Sequence, residues 1–386
     1  MPAPELVCEV RTERGTYRNW TTVSVAQAID GGWQRTFELR CAEPSEAMVQ
    51  ALSPGTRVDI ALAGQPVITQ GYIARRQSAY DGNRHGVQVT GFSKANLTTR
   101  ASAEGGTGQY RGYTLEQIAN GELKRLGLKF RLENPPDGAN EPFRQVMRRY
   151  GETPYDLISR LCRQRGVWMF AEADGTIVAG SKDGASKGGA GGGSRGNPDV
   201  PTFDDVFQEG VNILSANCDM EWREAATYVA TGQHPGSDNL FGRKAAEPSA
   251  KITLQDGGVP GLSRRVLAEM PLSEKELQLR TAMEAQAIIA ASLRVSLSYQ
   301  GWLSPTGKLW SLTDNATVKS PMLFPFQGGQ MNLRLWSYNY TQTPEGQTVT
   351  MIELVNQMAF NLKFTDGQAP ATFDPSFTSP SPEASV

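Results

Sequence analysis

The stretch from Phe143 to Gly180, FRQVMRRYGETPYDLISRLCRQRGVWMFAEADGTIVAG, constrains the fold more than any other part of the chain. Thr153 is placed to cap a helix, and Pro154 suits the first helical position, where its missing N–H would have no partner anyway. Asp156 adds an acid to the first turn. Leu157, Ile158 and Leu161 recur at helical spacing, Arg160, Arg163 and Arg165 fall between or after them, and Gly166 offers a left-handed stop. The pattern predicts an amphipathic helix with one packed face and one wet face. Val167 to Phe170 then reads as a strand, Ala173-Asp174-Gly175 as a turn and Thr176 to Val178 as the return strand.

Around this helix and hairpin the chain is mainly β. From Leu6 to about Arg100, short runs of alternating apolar residues are broken by Gly31-Gly32, Pro54-Gly55, Gly64-Gln65-Pro66 and Asp81-Gly82. This predicts a small barrel over 1–104, completed by strands from 200–232. Thr114 and Gln117 form a capping box ahead of Leu115, Ile118, Ala119 and Leu123 on one helical face, and Leu128, Phe130 and Leu132 alternate as a strand. Residues 105–183 thus read helix, strand, helix, hairpin, a small α+β domain inserted between β regions. The Gly-rich run 184–199 has almost no side chains to bury and reads as a flexible loop. It lacks the G-x-x-x-x-G-K-[ST] pattern of a phosphate loop.

Over 200–365 a second barrel region is expected. Its helix, 273–293, opens on a Ser273/Glu276 capping box and turns Leu279, Met283, Ala287 and Ala290 to one side. Strands are expected at Val295–Tyr299 and near 315–320, 331–340 and 347–356. The Pro/Ser/Thr-rich 366–386 reads as a disordered tail. Two long hairpins, Gly71–Tyr80 with Val87–Thr90 and Asn332–Tyr340 with Val349–Leu354, share shape and length and suggest an internal repeat.

Chemistry-bearing motifs are few. The chain has two histidines, His85 and His234, both next to turn residues, and no H-E-x-x-H, cysteine cluster or G-x-S-x-G. Acid pairs such as Asp204-Asp205 and Glu221/Glu224 are unavoidable among 40 acidic residues and do not by themselves make a glycosidase. Cys8, Cys41, Cys162 and Cys218 are widely spaced and read as reduced thiols. Lys and Arg number 38, so the net charge of −2 leaves no footprint for tight phosphate binding. The start, MPAPELVCEV, lacks a signal-peptide pattern, and no apolar run is long enough to span a bilayer, so cytosolic synthesis and no membrane insertion are expected.

The segment carrying Asp156, Leu157, Ile158, Arg160, Leu161, Gly166, Val167 and Trp168 resembles the second domain of baseplate hub proteins of contractile phage tails, a family that includes the spike base of type VI secretion. Thr56–Ala103 and Ser263–Trp310 are similar to the Mu-like branch of that family. The resemblance implies two related β-barrels per subunit and a non-enzymatic homotrimeric ring without cofactor or metal. Such a ring joins the tail tube to the central membrane-piercing spike, adapts six-fold to three-fold symmetry, and leaves a lumen through which DNA passes without specific binding. It also implies residence in the virion baseplate, among other baseplate proteins, after assembly in the host cytoplasm. Trp20, Trp33, Trp302, Trp310 and Trp336 are candidate interface anchors, since large aromatics give much contact area at low entropic cost, with core packing as the other role open to them. Two alternatives stay open: a type VI spike base, and a wall-binding protein, because Tyr113–Asn134 resembles the opening of peptidoglycan-binding LysM domains.

Overall fold

A computed structural model describes residues 7–30, 33–42, 46–80, 85–105, 107–180, 204–233, 242, 248–253, 259–268, 271–325 and 328–360. The expected Gly31-Gly32 and Asp81-Gly82 turns, the Gly-rich loop, the tail, His234 and the side chain of His85 lie outside the described residues.

The first β region comprises β1 (Cys8–Thr12), β2 (Gly15–Tyr17), β3 (Thr22–Ala28), β4 (Arg35–Ala42), the short helix α1 (Glu46–Ala51), β5 (Arg57–Leu62), β6 (Gln65–Tyr80) and β7 (His85–Phe92). Alternation sets these strands: β3 buries Val23 and Val25, and β4 buries Phe37, Leu39 and Cys41, all on one face. The α+β unit follows with β8 (Gln109–Tyr110), α2 (Leu115–Leu123), β9 (Phe130–Glu133), β10 (Val146–Met147), α3 (Pro154–Gln164), β11 (Met169–Ala171) and β12 (Ile177–Gly180). Its helix, strand, helix, hairpin order is the expected one, and β12 pairs antiparallel with β11 and parallel with β9. The last region holds β13 (Asp205–Gln208), β14 (Ser215–Met220), β15 (Ala225–Thr231), β16 (Ser249–Thr253), β17 (Val259–Leu267), the helix α4 (Glu274–Ser292), β18 (Leu293–Gln300), β19 (Asn315–Lys319), β20 (Gln330–Gln342) and β21 (Thr348–Asn356).

The protein is mainly β with several sheets. One 13-stranded sheet runs β14-β18-β21-β20-β3-β4-β7-β6-β5-β1-β2, with β19 on β20 and β13 on β19. The two β regions therefore share one sheet, joined where β20 pairs with β3, and no pairing closes either region into a barrel among the described residues. The strands from 200–232 do not complete the first region. β13 pairs with β19, β14 with β18, and β15 sits between β16 and β17 in a separate three-stranded sheet. Alternating strands show which face is buried but not which edge they join, and that choice depends on distant partners.

The expected hairpin repeat is present in detail. From Tyr80↔His85 to Arg75↔Thr90, β6 and β7 make six consecutive pairs before the register shifts past Ala74. From Gln342↔Thr348 to Ser337↔Glu353, β20 and β21 make six consecutive pairs before the register shifts past Trp336. Each bulge bends its strand at the same distance from the turn. Gly91, opposite the first bulge, leaves no room for a side chain: an added Cβ would come within 2.2 Å of the Phe37 ring and of the Tyr72 carbonyl oxygen.

Candidate functional site

The helix motif is built as its residues require. Thr153 Oγ1 accepts from Asp156 N at 3.1 Å while Asp156 Oδ2 accepts from Thr153 N at 3.3 Å, with Pro154 in the first turn. Leu157, Ile158 and Leu161 are fully buried, and Gly166 ends the helix at φ +66°. The wet face is not found. Arg160 is buried with Glu152 in a bidentate pair, Nε to Oε1 and Nη2 to Oε2 both at 3.0 Å, and Arg165 is buried in contact with Glu276 at 3.1 Å. Arg160 is covered by the segment before α3, donating also to the Met147 carbonyl at 3.2 Å, while α4 covers Arg165 at the other end of α3, where a Cβ at Gly166 would meet the Leu279 carbonyl oxygen at 3.0 Å. Arg165 also lies 3.9 Å from the centre of the Phe143 ring and donates to the Glu141 carbonyl at 2.7 Å; its burial pulls its pKa down from the usual arginine range.

Trp168, the last motif residue, pins the hairpin to the far end of the chain. Its Nε1 donates to the Ala359 carbonyl at 2.8 Å, and its ring stands edge-on to Trp336 at 5.1 Å and beside Phe360 at 6.2 Å. Next to this pin lies a buried polar node. Arg35 donates to Gln27 Oε1 at 2.7 Å from Nη2, to the Ala171 carbonyl at 3.2 Å and to the Val67 carbonyl; Gln27 Nε2 donates to the Ala171 carbonyl at 2.8 Å. Tyr338 Oη closes the node by donating to Gln27 Oε1 at 2.8 Å. The node and the Trp168 pin hold both β regions and the α+β unit against one another, and Trp168 is the motif residue that stands at this joint.

Of the two roles left open for the five tryptophans, interface anchor and core packing, the fold of the subunit shows core packing. Trp20, Trp33, Trp302, Trp310 and Trp336 are all buried within the subunit. Trp20 Nε1 donates to the Tyr17 carbonyl at 3.2 Å, Trp33 Nε1 to Thr98 Oγ1 at 2.9 Å, Trp302 Nε1 to the Thr341 carbonyl at 3.1 Å and Trp310 Nε1 to Tyr299 Oη at 2.6 Å. These rings pack the core, where their area stabilises the fold and is not free for a neighbouring subunit. The exposed tryptophan is Trp222, 68% accessible, in the polar run Glu221-Trp222-Arg223-Glu224 directly after β14. A large apolar side chain between charged residues was the signal for it.

The acid pairs are not catalytic constellations. Asp205 is buried and accepts from Thr306 N and Oγ1, both at 2.9 Å, while Glu221 and Glu224 are exposed. Among the described residues no group of three or more His, Cys, Asp or Glu side chains is arranged to hold a metal ion, and no helix is long and apolar enough to cross a membrane. Cys8, Cys41, Cys162 and Cys218 are free thiols.

Comparisons with known proteins match this architecture. The family described as "Mu phage baseplate assembly protein GpP-like, N-terminal" matches residues 8–93, and "Baseplate hub protein gp44-like, second domain" matches residues 97–181, a span that includes the LysM-like segment. The baseplate hub protein gp44 of Escherichia phage Mu is 26% identical over 314 residues, 78% of this chain and 76% of that protein. The 43 kDa tail protein of prophage MuSo2 from Shewanella oneidensis superposes with a TM-score of 0.72 at 22% identity, over 92% of this chain and 99% of that one. A tail protein from Neisseria meningitidis MC58 does so with a TM-score of 0.71 at 15% identity, over 92% and 97%. With the first-domain and second-domain matches following one another in the order of the fold, this chain is similar over most of its length to the baseplate hub protein of phage Mu.

Proposed function

We propose that the chain is a structural, non-enzymatic hub subunit of a contractile phage tail baseplate, and that three copies form a ring between the tail tube and the central spike. The observation that carries the ring is the pair of hairpins with the same six-pair register and the same bulge, β6-β7 and β20-β21. One subunit thereby offers two similar units, so three subunits offer six to a six-fold tube while keeping three-fold symmetry toward a spike. In the mechanism the ring transmits force and geometry. The buried node at Arg35 and the Trp168 pin keep the two units in fixed relation within a subunit, and a lumen on the ring axis lets DNA pass. The net charge of −2 suits a passage that does not grip phosphate. The partners on this reading are two further copies of the chain, the spike protein, the tube and other baseplate proteins, and assembly takes place in the host cytoplasm.

The test is native mass by light scattering or native mass spectrometry across a dilution series, followed by co-expression with the spike. A trimer that captures the spike supports the reading. A chain that stays monomeric at every concentration and with the spike present overturns it.

A further inference from the structure

The two ends of the 13-stranded sheet are unlike each other. At one end β14 pairs with β18 alone among the described residues, and most of its residues are exposed. Exposed apolar side chains stand before and at the end of this strand: Val211, Leu214, Met220 and Trp222 are 72%, 60%, 56% and 68% accessible. Asp219, Glu221 and Glu224 are exposed among them. At the other end β2 pairs with β1 alone among the described residues. There Arg11 and Arg18, 66% and 62% accessible, both contact Glu9, and Arg14 and Glu13 are exposed beside them, so three arginines stand against two glutamates. An open groove of about 560 Å³ lies along this end, walled by Glu9, Arg11, Tyr17, Arg18 and Met48 among others.

An unpaired strand edge flanked by exposed apolar side chains is a template for another chain, and the two ends complement each other. We infer that the β14 end of one copy docks on the β2 end of the next, with Trp222 seated in the arginine-walled groove and Glu221 and Glu224 facing Arg11 and Arg18. The occupant is a second copy because the charges needed to receive this acidic, aromatic end stand at the far end of the same sheet. Tryptophan against guanidinium is a favourable pairing, and glutamates beside it add charge-assisted contacts. The contact joins different faces of identical chains, so it propagates head to tail, and in the trimeric reading its rotation closes after three copies. The inference rests on the trimeric reading above and assigns its interface.

The experiment compares native mass over a dilution series for the full chain, for E221K/E224K, for W222A, for R11E/R18E, and for E221K/E224K/R11E/R18E, with the circular dichroism spectrum and melting temperature as folding controls. The replaced residues are largely exposed, so folding is expected to be retained. Each of E221K/E224K, W222A and R11E/R18E is expected to dissociate at concentrations at least tenfold above those at which the unaltered chain does. The fourfold charge swap is expected to regain association relative to either pair alone. If the unaltered chain is trimeric and folded edge variants are trimeric to the same dilution, the interface assignment fails and the ring reading stands. If the unaltered chain never associates, with or without the spike, both fail.

Discussion

At the scale of single residues, the informative side chains are polar ones held in apolar surroundings. Arg160 and Glu152 are each 5% accessible at the side chain, so removing one partner strands the other charge. Replacing Glu152 with Gln or Arg160 with Met should each cost about 3–5 kcal/mol in chemical denaturation, whereas the double replacement with apolar residues of similar volume should recover most of that loss. A double-mutant cycle in urea checks both statements. Cys162 makes a second case. Burial pushes its thiol well above the usual range, so the reactive thiolate is absent at neutral and mildly alkaline pH. Alkylation of Cys162 at pH 8, followed by mass spectrometry, should proceed only on the timescale of unfolding. The buried free thiol at Cys162 follows from its place in the amphipathic helix, whereas the burial of the arginines was not legible, because Arg160 and Arg165 look like the wet side of that helix. The partner that covers Arg165 is Glu276, on a helix more than a hundred residues further on, and no local pattern reports its arrival.

At the scale of elements, local chemistry decided what could be read. All three long helices begin with a reciprocal capping box, Thr114/Gln117, Thr153/Asp156 and Ser273/Glu276, and each lies within four consecutive residues. Start signals of that kind are visible without the fold. The two bulged hairpins were legible as paired alternating runs around turns, but their equal register was not, since a bulge is set by what packs on both sides. Thr153→Ala removes the hydroxyl that accepts from Asp156 N at 3.1 Å and donates to Asp156 Oδ2 at 2.7 Å, and leaves only the backbone half of the box on α3. The expected cost is about 1 kcal/mol, read from the denaturant midpoint with an unchanged slope. The strands that failed to go where expected, β13 to β15, illustrate the opposite limit: their alternation fixes a buried face, while their edge partners are chosen by the rest of the molecule.

At the scale of the whole molecule, the Trp168 pin and the Arg35 node make three regions mechanically one. Trp168 touches Trp336, Phe360 and the Ala359 carbonyl, so Trp168→Ala opens a cavity at the junction and removes a cross-region hydrogen bond. A loss of about 3–5 kcal/mol is expected. In differential scanning calorimetry the unaltered chain should unfold in one transition across the described regions, and the variant should show the α+β unit melting first. Sequence reasoning placed Trp168 in the family motif and could not say what it did, because its contacts lie at residues 336 to 360.

The pairing of β3 with β20 sets a timetable as well as a shape. Ser24 donates to Asn339, 315 positions further along, so a nascent chain leaving the ribosome exhibits β3 with one side unclaimed until nearly the whole polypeptide has been synthesised. At translation speeds of about 5–20 residues per second, that interval lasts tens of seconds. During it the early half presents an unpaired strand edge, open to pairing with any other chain until β20 arrives to claim it.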